Sequence, residues 1–258
     1  MGKATQFAVL QREPPGPTPD QWKRAFKSFS HLTDADAVRL AAGAHGILMK
    51  HLRQDAARAL QSAFQAEGIR VAIVAENDLP RLPEARSLRR LELWPQALSV
   101  YDPVGRATLI PWRHITLVAA GAAQHVVLNK THTEFTRRQL DAVSGTHLKK
   151  TTDAGPRIEP DSQLLLELIV GHGASRHEID ASQFTFKHVI DRPGIATEEK
   201  FIWLVREICR EATRAVLNSG ARSLLEGRIS VPTYTNRQVL TDEIVWLLWW
   251  SQQHPRPD

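Results

Sequence analysis

The apolar residues of this 258-residue chain change period part-way along, and that change limits the folds open to it. Between Thr18 and Glu67 they recur every three or four residues, the spacing that lines one face of a helix. From Leu91 onward they fall in short alternating or β-branched stretches that read as strands. Residues 77–88 lie between the two patterns. With Asn77, Asp78, Pro80 and Pro83 among several charges, they read as a linker. The expectation is an α+β chain of two parts: a small βαα(α)β two-layer sandwich over residues 1–76, and a strand-rich part over residues 89–258 finished by two C-terminal helices.

Local signals fill in the first part. Thr5 to Gln11 reads as a strand that stops at Pro14-Pro15-Gly16-Pro17, where fixed φ angles and missing donors end a ladder. Thr18 and Gln21 form a capping box around Pro19, opening a helix that carries Trp22, Ala25, Phe26 and Phe29 on one stripe. Thr33 and Asp36 repeat that arrangement for a second helix to about Gly43. A third, from about Arg53 to Glu67, turns Ala56, Leu60, Ala63 and Phe64 inward and ends at Gly68, with a buried strand from Ile69 to Ala75 after it.

The second part opens with a hairpin turning at Asp102-Pro103-Val104-Gly105, followed by a strand at Ile115 to Ala119. Residues 130–160 are polar, carry Gly145, Gly155, Pro156 and Pro160 without periodicity, and are expected as a long mobile insertion. Strands are expected at Leu164 to Val170, Arg176 to Asp180 and Phe184 to Ile190. A long helix from Thr197 to Asn218 and a last one from about Arg237 to Gln252 complete the chain.

The run Leu32 to Leu40, then Gly46-Ile47-Leu48-Met49-Lys50-His51-Leu52, Ala56 to Leu60 and Glu67-Gly68-Ile69-Arg70-Val71, resembles the C-terminal domain of the bacterial ribosomal stalk protein. That fold is shared with the Clp-protease adaptor. The resemblance spans residues 5–76 and implies a partner surface at Lys23-Arg24-Ala25-Phe26-Lys27, where the stalk domain receives translation factors. The glycine-leucine-x-leucine-lysine turn of that family is replaced here by His31-Leu32-Thr33-Asp34-Ala35, without the lysine. Leu109 to Val118, with Pro111-Trp112 ahead of a buried strand, resembles part of the bacterial pleckstrin-homology-like domains.

Charge and cysteine content bear on the compartment. The net charge of +5 is dispersed along the chain, and a dominant phosphate-neutralising patch is what nucleic-acid binding requires. Cys209 is the single cysteine and cannot form an internal disulfide, and no charged-apolar-small leader opens the sequence, so the cytoplasm is the expected location. The apolar stretch Ile244 to Trp250 is far short of the ~20 residues of a membrane span.

Among residues that could carry chemistry, His172, His177 and His188 lie near strand ends beside Glu178 and Asp180, yet no H-E-x-x-H, H-x-H or C-x-x-C spacing accompanies them. Gly171-His172-Gly173 lacks the rest of a phosphate loop and reads as a tight turn. Cys209 falls on the apolar stripe of its helix, where a thiol is inert. Trp246, Trp249 and Trp250 share a helical face and read as core or as an interface, since tryptophan is enriched at binding hot spots.

These readings favour a non-catalytic interaction or adaptor protein with a protein partner, no metal and no cofactor. Its partner-binding candidates are Lys23, Arg24, Lys27, Trp246, Trp249 and Trp250. Two alternatives are a metal-assisted hydrolase using His172, His177 and His188, and a nucleic-acid or ribosome-associated factor using Lys23, Arg24, Lys27 and the Arg86, Arg89, Arg90 cluster.

Overall fold

A computed structural model describes residues 5–13, 17–27, 45–126, 160–190 and 193–254. Its mixture of helices and sheets is α+β. The helix expected from Thr33 to Gly43, and the insertion expected at 130–160 up to Pro160, lie outside the described residues.

Strand β1 (Phe7–Gln11) is the centre of a three-stranded antiparallel sheet, between β2 (Ile47–Leu52) and β3 (Val71–Ala75). Its residues alternate between two apolar clusters, as the period of a strand requires. Val9 points to α1 (Pro19–Lys27) and α2 (Gln54–Ala66), where Trp22 meets Phe64 edge-to-face at 5.0 Å. Ala8 and Leu10 point the other way, to a cluster that includes Trp246 and Leu247.

The capping box holds as read: Thr18 N–H donates to Gln21 Oε1 (2.9 Å) and Gln21 N–H donates to Thr18 Oγ1 (3.3 Å). Strand β2 was not expected. Ile47 to Leu52 was read only as part of a family resemblance, and its identity as a strand comes from the free edge that β1 offers.

The second sheet is six-stranded. Long β8 (Ile115–Val126) and β9 (Pro160–Val170) pair antiparallel at its centre, with β10 (Ser175–Asp180) beyond β9. Residues 77–88 are not a free linker. After a 3-10 turn at Glu76–Asp78 they supply β4 (Ala85–Ser87), which pairs in parallel with β10 and satisfies the outer edge of that strand.

A separate antiparallel meander, β5 (Leu91–Trp94), β6 (Ala97–Tyr101) and β7 (Ala107–Pro111), covers part of one face. Phe184 to Ile190 is not a strand. It makes a 3-10 turn at Phe186–His188, with Phe184 and Phe186 packed edge-to-face in the core and Thr185 N–H donating to Arg89 O.

Helix α3 (Thr197–Glu211) ends seven residues before the expected Asn218. The chain instead forms β11 (Val216–Leu217) alongside β8, and Asn218 caps a new helix, α4 (Ser219–Leu225). The reason is tertiary. Asn218 Oδ1 accepts from the N–H groups of Ala120 (2.9 Å) and Ala221 (2.8 Å), and its Nδ2 lies 3.1 Å from Ala120 O and 3.2 Å from Glu243 Oε2. Gly220 follows because a Cβ there would sit 1.8 Å from Ala120 O.

The last helix, α5 (Arg237–Gln253), matches its expected bounds to within a residue. It lies between the two sheets, meeting Leu10 and Ile47 on one side and Leu117, Leu165 and Ile169 on the other. Facing sheets on both sides explain why its sequence is apolar nearly all round. The two parts read from the sequence are therefore joined by a shared apolar cluster.

Replacing Asn218 by Ala leaves buried donors and acceptors on β8 and α4 unpaired and removes a helix cap, so the free energy of unfolding in urea is expected to fall by about 2–4 kcal/mol. A loss below about 0.5 kcal/mol, the range of ordinary surface changes, would show that this network does not hold α4 in place.

Candidate functional site

Strand β10 carries polar residues on both faces, in a position where a strand packed on each side is normally apolar. Arg176, Glu178 and Asp180 share the face directed to α5. His177 and Ile179 point to the opposite face, where the meander sits.

There β4, β10, β6 and β7 enclose a pocket of about 580 Å³. Leu88, Val100, Ile110 and Val170 give it apolar walls, and Arg86, His114, Ser175 and His177 a polar end. A mostly apolar concavity with a few convergent polar groups is the usual form of a binding site.

His177 is the residue at its polar end with the least water. It is 5% exposed, its Nδ1 is shielded without a hydrogen-bond partner, and its Nε2 lies 3.4 Å from Ser175 Oγ. Burial, and then the positive charge of Arg86, lower its pKa from 6.5, so the ring is neutral at pH 7. Ser175 and His177 resemble a nucleophile and base, but the carboxylate that orients such a histidine through Nδ1 has no counterpart on this Nδ1. The geometry suits an acceptor group placed against a buried N–H, with an apolar body lying between the sheets.

The other sequence candidates are dispersed. His172 is exposed on the β9–β10 turn with φ +54° between two positive-φ glycines, as a tight turn demands, and His188 is exposed on its 3-10 turn. Among the described residues no three His, Cys, Asp or Glu side chains gather as a metal site, so His172, His177 and His188 are not brought together. Cys209 is buried, and burial pushes its thiol up to about 12, which keeps it protonated.

Arg24 is paired with Glu67 at 2.6 Å, Lys23 is half-buried, and the Lys27 side chain lies outside the described residues. In the second basic cluster Arg86 and Arg89 are exposed, whereas Arg90 lies 4.1 Å over the Tyr101 ring and pairs with Glu92 at 2.6 Å. Trp246 is spent internally: buried, it donates Nε1–H to Gln11 O at 2.7 Å. Trp249 is half-buried against the same cluster, and Trp250 stacks on His254 at 4.8 Å. Among the described residues no helix is long and apolar enough to cross a membrane.

Comparison of the chain with protein-family models, with curated proteins and with solved structures finds no match in any of the three. The pocket residues themselves were only partly readable in the sequence. The alternation Ser175-Arg176-His177-Glu178-Ile179-Asp180, polar on both faces of an interior strand, is the signal that marks them.

Neutral His177 in the fold makes stability depend on pH. The unfolded chain binds the proton more readily, so this contribution is complete above about 6.5 and is lost as pH falls below it toward the lowered folded value. Urea unfolding midpoints of wild type and His177→Gln, measured from pH 8 to pH 5, are expected to converge or cross as pH falls. Parallel curves would show that His177 is not desolvated.

Proposed function

We propose that this chain is a non-catalytic interaction protein that holds an extended segment of a partner along β7, with an apolar side chain of that segment in the His177 pocket. The observation that carries the reading is the position of the pocket mouth, bordered by Leu109 on a strand that, among the described residues, pairs on one side only. A strand edge offers unpaired backbone N–H and C=O groups, and a pocket beside it selects side chains at alternate positions of an added strand.

Surface composition supports the same region. Of the five large apolar residues exposed among the described residues, Trp94, Val104 and Leu109 belong to the meander and its turn, and they are 54%, 73% and 65% exposed. Exposed apolar side chains are thus concentrated on the meander, and such exposure is what an interaction surface offers a partner.

In this proposal residues 1–76 serve as a stalk-like or Clp-adaptor-like unit and residues 89–258 as a pleckstrin-homology-like one, acting in the cytoplasm. Both resemblances are to binding scaffolds. What recommends them here is that the chain's candidate nucleophile, Cys209, is buried, while the pocket beside β7 is a mostly apolar concavity suited to contact.

A displayed random-peptide library panned on the immobilised protein tests this. The expected yield is segments with apolar residues at alternate positions. Leu109→Glu, at an exposed position, is expected to weaken them about tenfold or more, because burying one aliphatic side chain contributes about 1.5–3 kcal/mol, and to leave the unfolding midpoint unchanged. Selected peptides that bind Leu109→Glu as tightly as wild type would refute the β7 surface.

A further inference from the structure

The opposite face of β10 borders a second cleft, of about 600 Å³, whose chemistry is entirely different. Glu178 and Asp180 form its floor, 7% and 5% exposed, and Arg237, Gln124, Gln163 and Gln238 stand around them. Lining amides supply both donors and acceptors, so the cleft offers hydrogen bonds in both directions to a polar ligand.

Its charges do not balance. Glu167 and Arg176 close on each other as a bidentate pair, one arm at 2.7 Å, and leave nothing over for a ligand. Glu178 Oε1 receives Arg237 Nη2 at 3.1 Å from a side chain that is 48% exposed. Glu178 Oε2 is shielded from water and has no hydrogen-bond partner among the described residues. Asp180 Oδ1 accepts from the backbone N–H and the hydroxyl of Ser182, at 2.9 and 2.7 Å, which orients it without neutralising it. Three carboxylates thus face two guanidinium groups, one of them held at the rim.

A buried carboxylate oxygen without a hydrogen bond of its own is costly even when its companion oxygen is paired, and a proton is the simplest group that relieves it. Burial accordingly raises the pKa of Glu178, with Glu167 and Asp180 adding to the rise and Arg237 and Arg176 opposing it. An N–H-bearing cation answers the same deficit, since it too supplies a donor and a positive charge together.

We propose that this cleft is a binding site for an organic cation, a primary ammonium or guanidinium group that takes the place of Arg237 on the Glu178 carboxylate and lies against Asp180, with its polar body among the amides. The site lies across the sheet from the β7 groove and does not depend on the function proposed for it. A free small amine and a lysine or arginine side chain of a partner share this chemistry.

Calorimetric titration of the full chain with agmatine, and separately with an end-blocked Gly-Arg-Gly peptide, tests the proposal and separates the sources. One-to-one binding of agmatine is expected. Equal binding of the peptide assigns the cation to a partner's side chain, and binding of agmatine alone assigns it to a free amine. Glu178→Gln is expected to weaken binding about tenfold or more, the loss of one charge-assisted hydrogen bond. Arg237→Ala is expected to bind no more weakly than wild type, because Arg237 competes for the same carboxylate. In wild type, affinity is expected to fall as pH is lowered toward the raised pKa of Glu178 and the carboxylate takes up its proton, a readout that needs no variant. Failure of both probes to bind at millimolar concentration, or affinity unchanged by Glu178→Gln and by pH, would overturn it.

Discussion

The burial of α5 between two sheets is the contact on which the remaining arrangement depends. No residue from Val239 to Ser251 is exposed. One side of the helix receives Ala8, Leu10 and Ile47, the other Leu117, Leu165 and Ile169. Each such aliphatic or aromatic side chain contributes about 1.5–3 kcal/mol when fully removed from water, so this helix ties the chain's beginning to its central sheet. Two polar contacts set its position: Trp246 Nε1–H donates to Gln11 O, and Lys50 pairs with Asp242 at 2.5 Å. Burial of Glu243 on the same helix is tolerated because Ser219 N–H, Tyr234 O–H and Asn218 Nδ2 all reach its carboxylate. The same network sets where α4 begins.

Strand β10 lines both candidate sites because it sits near the margin of the large sheet, between β9 and the three-residue β4. A central strand such as β8 is covered on both faces and reads as alanine, valine and leucine. Toward the margin the cover thins and leaves a concavity on each side of β10. Alternation then sorts its residues without further help: His177 enters the apolar pocket beneath the meander, and Glu178 and Asp180 enter the polar cleft beside the start of α5. One strand thereby presents a neutral imidazole and a pair of buried carboxylates to opposite sides of a single sheet.

Much of the local structure was legible in sequence. The Thr18–Gln21 box, Leu60, Ala63 and Phe64 on the stripe of α2, where Ala57 rather than the expected Ala56 is the buried alanine, the end at Gly68 and the bounds of α5 depend on hydrogen bonds or contacts within a few residues, so spacing alone largely reports them. What was not legible depended on distant partners. Helical periodicity carried the reading of α3 on to Asn218, whereas Ala120, 98 residues away, takes Asn218 into the core and ends the pattern. Prolines and charges made residues 77–88 read as a linker, yet the edge of β10 turns Ala85–Ser87 into a strand. The tryptophans show the same limit. Their helical face was evident, but the use of Trp246 to hold Gln11 was not.

By itself the sequence determined which segments could form helices or strands, that the chain would be α+β, and which side chains along 175–180 would alternate from face to face. These follow from backbone geometry and short-range spacing. Only the tertiary structure decided which of those faces would be sealed and which left open, because coverage is supplied by segments remote in the chain: the meander over His177 and the first turn of α5 beside Glu178. A strand pattern states that neighbouring residues point oppositely; what each of them then meets depends on packing that no local window contains.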